Sequence, residues 1–111
     1  MLKGNENYQS FQSEQLITTE FNICEVGFAV CREYPANATR VLKTVRKMVV
    51  IQETRDEDYC AGAATRKLAT AEGKKLSTID CVGYSVANRL NIPFLTGDRE
   101  FADMDNVHFV R

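Results

Sequence analysis

Apolar residues recur along this chain in two rhythms: short unbroken runs, and longer stretches with three- and four-residue steps. The runs Leu16-Ile17-Thr18-Thr19, Met48-Val49-Val50-Ile51, Phe94-Leu95-Thr96 and Val107-His108-Phe109-Val110 are bounded by cap or turn residues and read as short buried strands. The stepped stretches read as helices. From Glu20 to Glu33 the step passes through Phe21, Cys24, Phe28 and Cys31, which predicts a core stripe on that face, and Tyr34-Pro35 stops the helix. Thr18-Thr19 is placed to cap it, as Asn37 is for the next helix. There Val41, Leu42, Val45 and Met48 face inward and Arg40, Lys43, Arg46 and Lys47 outward. Asp56, Glu57 and Asp58 open a third helix carrying Tyr59, Ala63, Ala64 and Leu68, closed by Gly73 with Lys74 and Lys75. In the fourth, Ile79, Val82, Val86 and Leu90 share a face while Gly83 and Ala87 admit a close neighbour. Asn91 ends it, Pro93 allows only an entry or edge position in the strand that follows, and Phe101 with Met104 anchors a turn.

Strand, helix, helix, strand, helix, helix, strand, turn, strand, with each strand apolar rather than alternating, is the pattern of helices covering a parallel sheet in an α/β fold. At 111 residues, 44% apolar and 26% charged, the chain is expected to form a single domain, residues 1–111, with one core. The net charge of -1 supplies no general attraction for nucleic acid. Local clusters at Lys43, Arg46 and Lys47 and at Arg66, Lys67, Lys74 and Lys75 read as solvated helix faces or as the lining of a groove. No run approaches the roughly twenty apolar residues of a membrane span, so a soluble cytoplasmic protein with no membrane partner is expected. Cys24 and Cys31 lie about 10 Å apart by helix rise, too far to bridge. With Cys60 and Cys81 they read as reduced core thiols. His108 is the only histidine, which leaves a histidine triad or zinc site without partners.

Three acids stand out by position. Asp80 lies in the first turn of the fourth helix, and Asp98 follows the strand Phe94-Leu95-Thr96, at the sheet edge where α/β folds bind ligands. Glu25 lies about 40° round its helix from Phe21 and about 60° from Phe28, on the flank of the expected stripe. Capping alone accounts for Asp80, as the third residue after Ser77, and for Asp98, ahead of Arg99 to Met104. Glu25 reads equally as a carboxylate whose stem packs while its head stays wet. Together, three carboxylates at one sheet edge call for hard cations, and oxygen donors suit Mg²⁺ or Mn²⁺ and phosphodiester cleavage. Glu100 is a possible fourth.

Thr18-Thr19 before the helix with Glu25, Leu76-Ser77-Thr78-Ile79-Asp80 opening the helix with Tyr84 and Ala87, and Leu95-Thr96-Gly97-Asp98-Arg99-Glu100-Phe101 resemble the PIN-domain family, in particular the VapC-like toxin ribonucleases. The resemblance runs over nearly the whole chain. It implies a three-layer α/β/α fold with a short parallel sheet, a metal-dependent endoribonuclease using Mg²⁺ or Mn²⁺, an RNA substrate, a homodimer and a cognate antitoxin. Carried over by position, Glu25, Asp80 and Asp98 would hold the metal and act in catalysis, with Thr96 supporting the site and nearby arginine and lysine contacting RNA phosphates. In that family a first strand ending in Asp-Thr or Asp-Ser precedes the stretch that Leu2-Lys3-Gly4-Asn5-Glu6 resembles. An N-terminally truncated domain is therefore expected, with the strand at Leu16 parted from the strand at Phe94. The alternative function is a non-catalytic relic or interaction module, inactive because that aspartate is absent. A flavodoxin-like nucleotide-binding domain lacks support, because no glycine-rich phosphate loop follows a strand.

Overall fold

A computed structural model describes residues 16–110; the polar stretch 1–14, with Leu2-Lys3-Gly4-Asn5-Glu6, lies outside the described residues. Strand β1 (Leu16–Thr18) leads into helix α1 (Glu20–Glu33), and α2 (Ala38–Met48) into β2 (Val49–Ile51). Helices α3 (Asp56–Ala71) and α4 (Thr78–Arg89) precede β3 (Phe94–Thr96), a 3₁₀ turn (Arg99–Phe101) and β4 (Val107–Phe109). The element order is the one the apolar pattern predicts. Mixed helices with short parallel strands match the α/β/α class.

The described strands form two parallel pairs. Leu16, Ile17 and Thr18 stand opposite Val49, Val50 and Ile51, while Phe94, Leu95 and Thr96 stand opposite Val107, His108 and Phe109. Among the described residues the two pairs are separate sheets. Helix α4 holds them in one body, packing on β3 and also on α1.

The chain ends its helices with the residues the sequence suggests. Thr19 accepts at its hydroxyl from the Asn22 N–H at 3.3 Å, Ser77 from the Asp80 N–H at 3.0 Å, and Asp98 from the Glu100 N–H at 2.9 Å. Gly73 closes α3 at φ 83°, a left-handed value that favours glycine. Asn37 departs from the expectation: its side chain makes no cap bond and instead accepts from the Arg40 guanidinium at 2.7 Å.

The core lies around α4, where Cys81, Val82, Tyr84, Val86 and Ala87 are buried, and Phe101 is completely enclosed. Tyr84, Phe94 and Phe101 meet ring on ring at centroid distances of 5.2–5.8 Å, and the Tyr84 hydroxyl donates to the Asp105 carbonyl. Helix α3 packs against α4 in antiparallel fashion at Gly62, where an added Cβ would lie 3.2 Å from the Cys81 backbone carbonyl. Backbone cannot swing aside as a side chain can. Gly62→Ala should therefore cost about 1–3 kcal/mol, read as a lower urea midpoint with unchanged slope.

The expected stripe on α1 is corrected. Phe21, Cys24, Phe28 and Cys31 are exposed, Phe28 at 74%, whereas Ile23 and Val30 are buried. Apolar residues occur almost all round this helix, so two faces compete, and the Ile23–Val30 line is the one packed inward. The thiols follow: Cys81 is buried as expected, but Cys24, Cys31 and Cys60 are exposed, all four being free. On α3, likewise, Tyr59, Ala63, Ala64 and Leu68 are exposed, and Asp58, Gly62 and Ala69 take the buried face.

Candidate active site

Strand β1 delivers Thr19 and the first turns of α1 to the same region as the N-terminus of α4. Thr19 is almost wholly buried; its hydroxyl lies 2.7 Å from the Asn22 Oδ1. Asn22 in turn faces Gly83, whose missing Cβ would come within 3.4 Å of the Asn22 Oδ1 and 3.3 Å of Phe94. This close approach is what the small residues of α4 allow. Asn22 escaped the sequence reading, although it stands three residues before Glu25 and so on the same helix face.

Asp80 is the centre of the acidic group. It is half-buried at the start of α4 and lines a cavity of about 390 Å³ together with Thr18, Thr19, Asn22 and Thr96. Burial pushes its carboxyl above the usual range; a hydrogen bond with Ser77 opposes this, and the charge of Asp98 adds to the rise. Glu25, exposed on α1, is also raised, first by loss of surrounding water and then by the charge of Asp80. Asp80 thus feels one acid and is felt by the other. The fold brings Glu25, Asp80 and Asp98 into one electrostatic neighbourhood.

Thr96 and Asp98 share a turn: the Asp98 N–H donates to the Thr96 hydroxyl at 3.0 Å, while Asp98 accepts from the Glu100 N–H. One carboxylate oxygen of Asp98 is therefore committed to its cap. Glu100 faces elsewhere, accepting from the Lys75 N–H at 2.7 Å and tying the α3–α4 loop to the 3₁₀ turn. Among the described residues no three histidine, cysteine or acidic side chains converge as a metal-holding group. The donors fit a hard divalent cation in kind. In number they support the looser arrangement of one or two carboxylates with water, which suits Mg²⁺.

Three of the seven clustered cations, Arg46, Lys74 and Arg66, make side-chain bonds within the fold. Arg46 pairs with Glu20 through both guanidinium nitrogens at 2.9 Å, Lys74 with Asp103 at 2.6 Å, and the Arg66 Nε donates to the Leu76 carbonyl. Arg46 lies in the last turn of α2, Lys74 in the loop after α3 and Arg66 within α3.

No helix of the described residues is long and apolar enough to cross a membrane. No curated protein and no solved structure shows a significant match to the chain. The family model of the PIN domain matches residues 3–107, nearly the whole sequence, and spans every element that carries Glu25, Asp80 and Asp98. The chain belongs to the PIN-domain family.

Proposed function

We propose that this protein is a metal-dependent endoribonuclease of the VapC toxin type, with Glu25, Asp80 and Asp98 as its metal-binding acids and Thr96 supporting them. PIN domains are in general nucleases that act on RNA with divalent metal. The observation that carries the reading here is the coupling of three acids from separate elements. Burial raises both Asp80 and Glu25 first, the charge of Asp98 adds to the rise of Asp80 and that of Asp80 to the rise of Glu25, and no basic side chain is among the causes. Unrelieved repulsion of that kind is a cost to the fold, and a bound cation removes it.

A bound Mg²⁺ or Mn²⁺ would supply an activated water and neutralise charge developing on the phosphate. The chain's own residues set the rest. Ser77 fixes the Asp80 backbone at the helix start, and Thr96 fixes the turn that presents Asp98. Glu25, Asp80 and Asp98 would hold the cation, and the chemistry it would supply is a water nucleophile. A toxin of this kind acts in the cytoplasm as a homodimer held by an antitoxin. An apolar groove of about 480 Å³ lined by Ile23, Cys24, Gly27, Phe28, Cys31 and Leu42 supports a protein contact on the α1–α2 side.

A second reading, a non-catalytic PIN-like module, draws support from the absence of a converged three-acid group among the described residues. Incubation of the purified protein with a mixed RNA pool separates the two. Cleavage that requires Mg²⁺ or Mn²⁺ and stops with chelator supports the nuclease; intact RNA at all metal concentrations supports the module.

A further inference from the structure

We propose that the exposed face of α1 pairs with the same face of a second copy of this chain, and that a hydroperoxide locks the pair through two symmetric disulfides joining Cys24 of each copy to Cys31 of the other. The copies lie antiparallel about a two-fold axis at Phe28. Phe28 is 74% exposed at the centre of that face, and Cys24, Glu25, Cys31 and Arg32 around it are exposed as well. At about 100° per residue, Cys24 and Cys31 stand about 40° and 60° to one side of Phe28, while Glu25 and Arg32 stand about 60° and 40° to the other. The spacing is reciprocal: Cys24 lies four residues before Phe28 and Cys31 three after it, Glu25 three before and Arg32 four after. A two-fold axis at Phe28 reverses the helix direction and keeps each flank on its own side. Cys24 is thereby set against Cys31 of the second copy, offset by about 1.5 Å of helix rise, and Glu25 against Arg32 in the same way.

The charges on this face complement those of its own copy. Among the described residues neither Glu25 nor Arg32 takes part in an ion pair, and no basic side chain is among the causes that raise the Glu25 carboxyl. On the other flank the groove lined by Cys24, Gly27, Cys31 and Leu42 gives a second helix room beside α2. At the usual helix spacing of about 8–10 Å, facing Cα atoms on a near flank stand about 5–7 Å apart. A disulfide needs about 4.4–6.8 Å, so the thiols can bridge between copies although Cys24 and Cys31 of one helix cannot. Bridge formation is an oxidation. One thiolate attacks the peroxide oxygen, breaking the O–O bond, to give a sulfenic acid and water or an alcohol; the facing thiolate displaces the sulfenic oxygen, which leaves as water as the S–S bond forms. One hydroperoxide is reduced for each pair of thiols oxidised. Glu25 is among the acids assigned above to the metal, so locking also withdraws it from the site; that consequence alone rests on the proposed nuclease.

The test reads covalent pairing and not cleavage, so it stands apart from the proposed activity. It uses the whole chain carrying Cys60→Ser, because Cys60 is the remaining exposed thiol. After brief H₂O₂ treatment and alkylation of unreacted thiols, most of the protein should run on a non-reducing gel as a pair that reductant dissolves. Cys24→Ser alone and Cys31→Ser alone should each abolish the pair, since either change removes both bridges. A mixture of the two variants should regain it through the single bridge left between unlike copies. Arg32→Glu should slow pairing about tenfold, and Glu25→Arg together with Arg32→Glu should restore the rate. Both cysteines are exposed, and circular dichroism of the serine variants should match that of the natural protein. Pairs that persist in either single variant, a mixture that stays monomeric, or pairing indifferent to Arg32→Glu would overturn the proposal.

Discussion

Arg89→Met should destabilise the fold by about 3–5 kcal/mol, the cost of leaving a buried carboxylate without its partner. Asp58 is 2% exposed and receives both the Nε and a terminal nitrogen of Arg89 at 2.9 Å. The Arg55 N–H also donates to it at 2.8 Å, and Arg89 reaches the Glu53 carbonyl at 3.2 Å. One pair thus ties the start of α3, the end of α4 and the loop after β2. The helix ends suit the charges, an acid at an N-terminus and a cation at a C-terminus. The hydrogen bond from Arg89 is the largest cause holding the Asp58 carboxyl below its ordinary range. A lowered folded pKa means that the stabilisation is full above the unfolded value of about 3.9 and is lost as pH falls through the folded value. The gap in thermal midpoint between Arg89→Met and the natural protein should therefore be wide at pH 7 and narrow as pH falls below the ordinary carboxylate range. Asp58→Leu with Arg89→Met should recover most of the loss, since the double replacement leaves no buried charge. A single variant within about 1 kcal/mol of the natural protein would show the pair to be dispensable.

Asp80→Asn should abolish metal-dependent RNA cleavage, with a loss of about 100-fold or more, while leaving the fold as stable or more so. The two effects have opposite signs because of where Asp80 sits. Its carboxyl is raised by burial and then by Asp98, so the charged form is unfavourable in the folded state without a cation. A raised folded pKa makes stability increase as pH falls through that value toward the unfolded one, and the amide variant removes this dependence. Added Mn²⁺ should raise the thermal midpoint of the natural protein and leave that of Asp80→Asn unmoved. Loss of activity with loss of stability would reassign Asp80 to capping alone. Retained cleavage would remove it from the site.

Local chemistry made much of the architecture legible. Thr19, Ser77, Asp98 and Gly73 mark ends because a cap or a left-handed turn needs only neighbours in sequence, and α1 runs from Glu20 to Glu33 as expected. The acids Asp80 and Asp98 were visible for the same reason, each lying at an element's end. Glu25 stands out by its flank position, but that flank belongs to a stripe, Phe21 to Phe28, that the fold leaves exposed. Periodicity ranks faces by apolar content, and α1 has apolar residues on both, so only packing against the rest of the molecule selected Ile23 and Val30. Asn22 was missed because a polar residue three places from a cap looks like surface until Gly83 comes against it.

By itself the sequence determined the strand and helix order, the caps, the class of fold and the presence of acids at element ends, all of which depend on short-range steric and hydrogen-bonding rules. The tertiary structure decided which α1 face is buried, that three thiols are exposed, that Arg89 meets the buried Asp58 through two hydrogen bonds, and that the described strands form two pairs beside a cavity. Those outcomes join residues far apart in the chain, such as Asp58 with Arg89 and Glu25 with Asp80. Their energies arise from burial and charge coupling that exist only after the elements have packed.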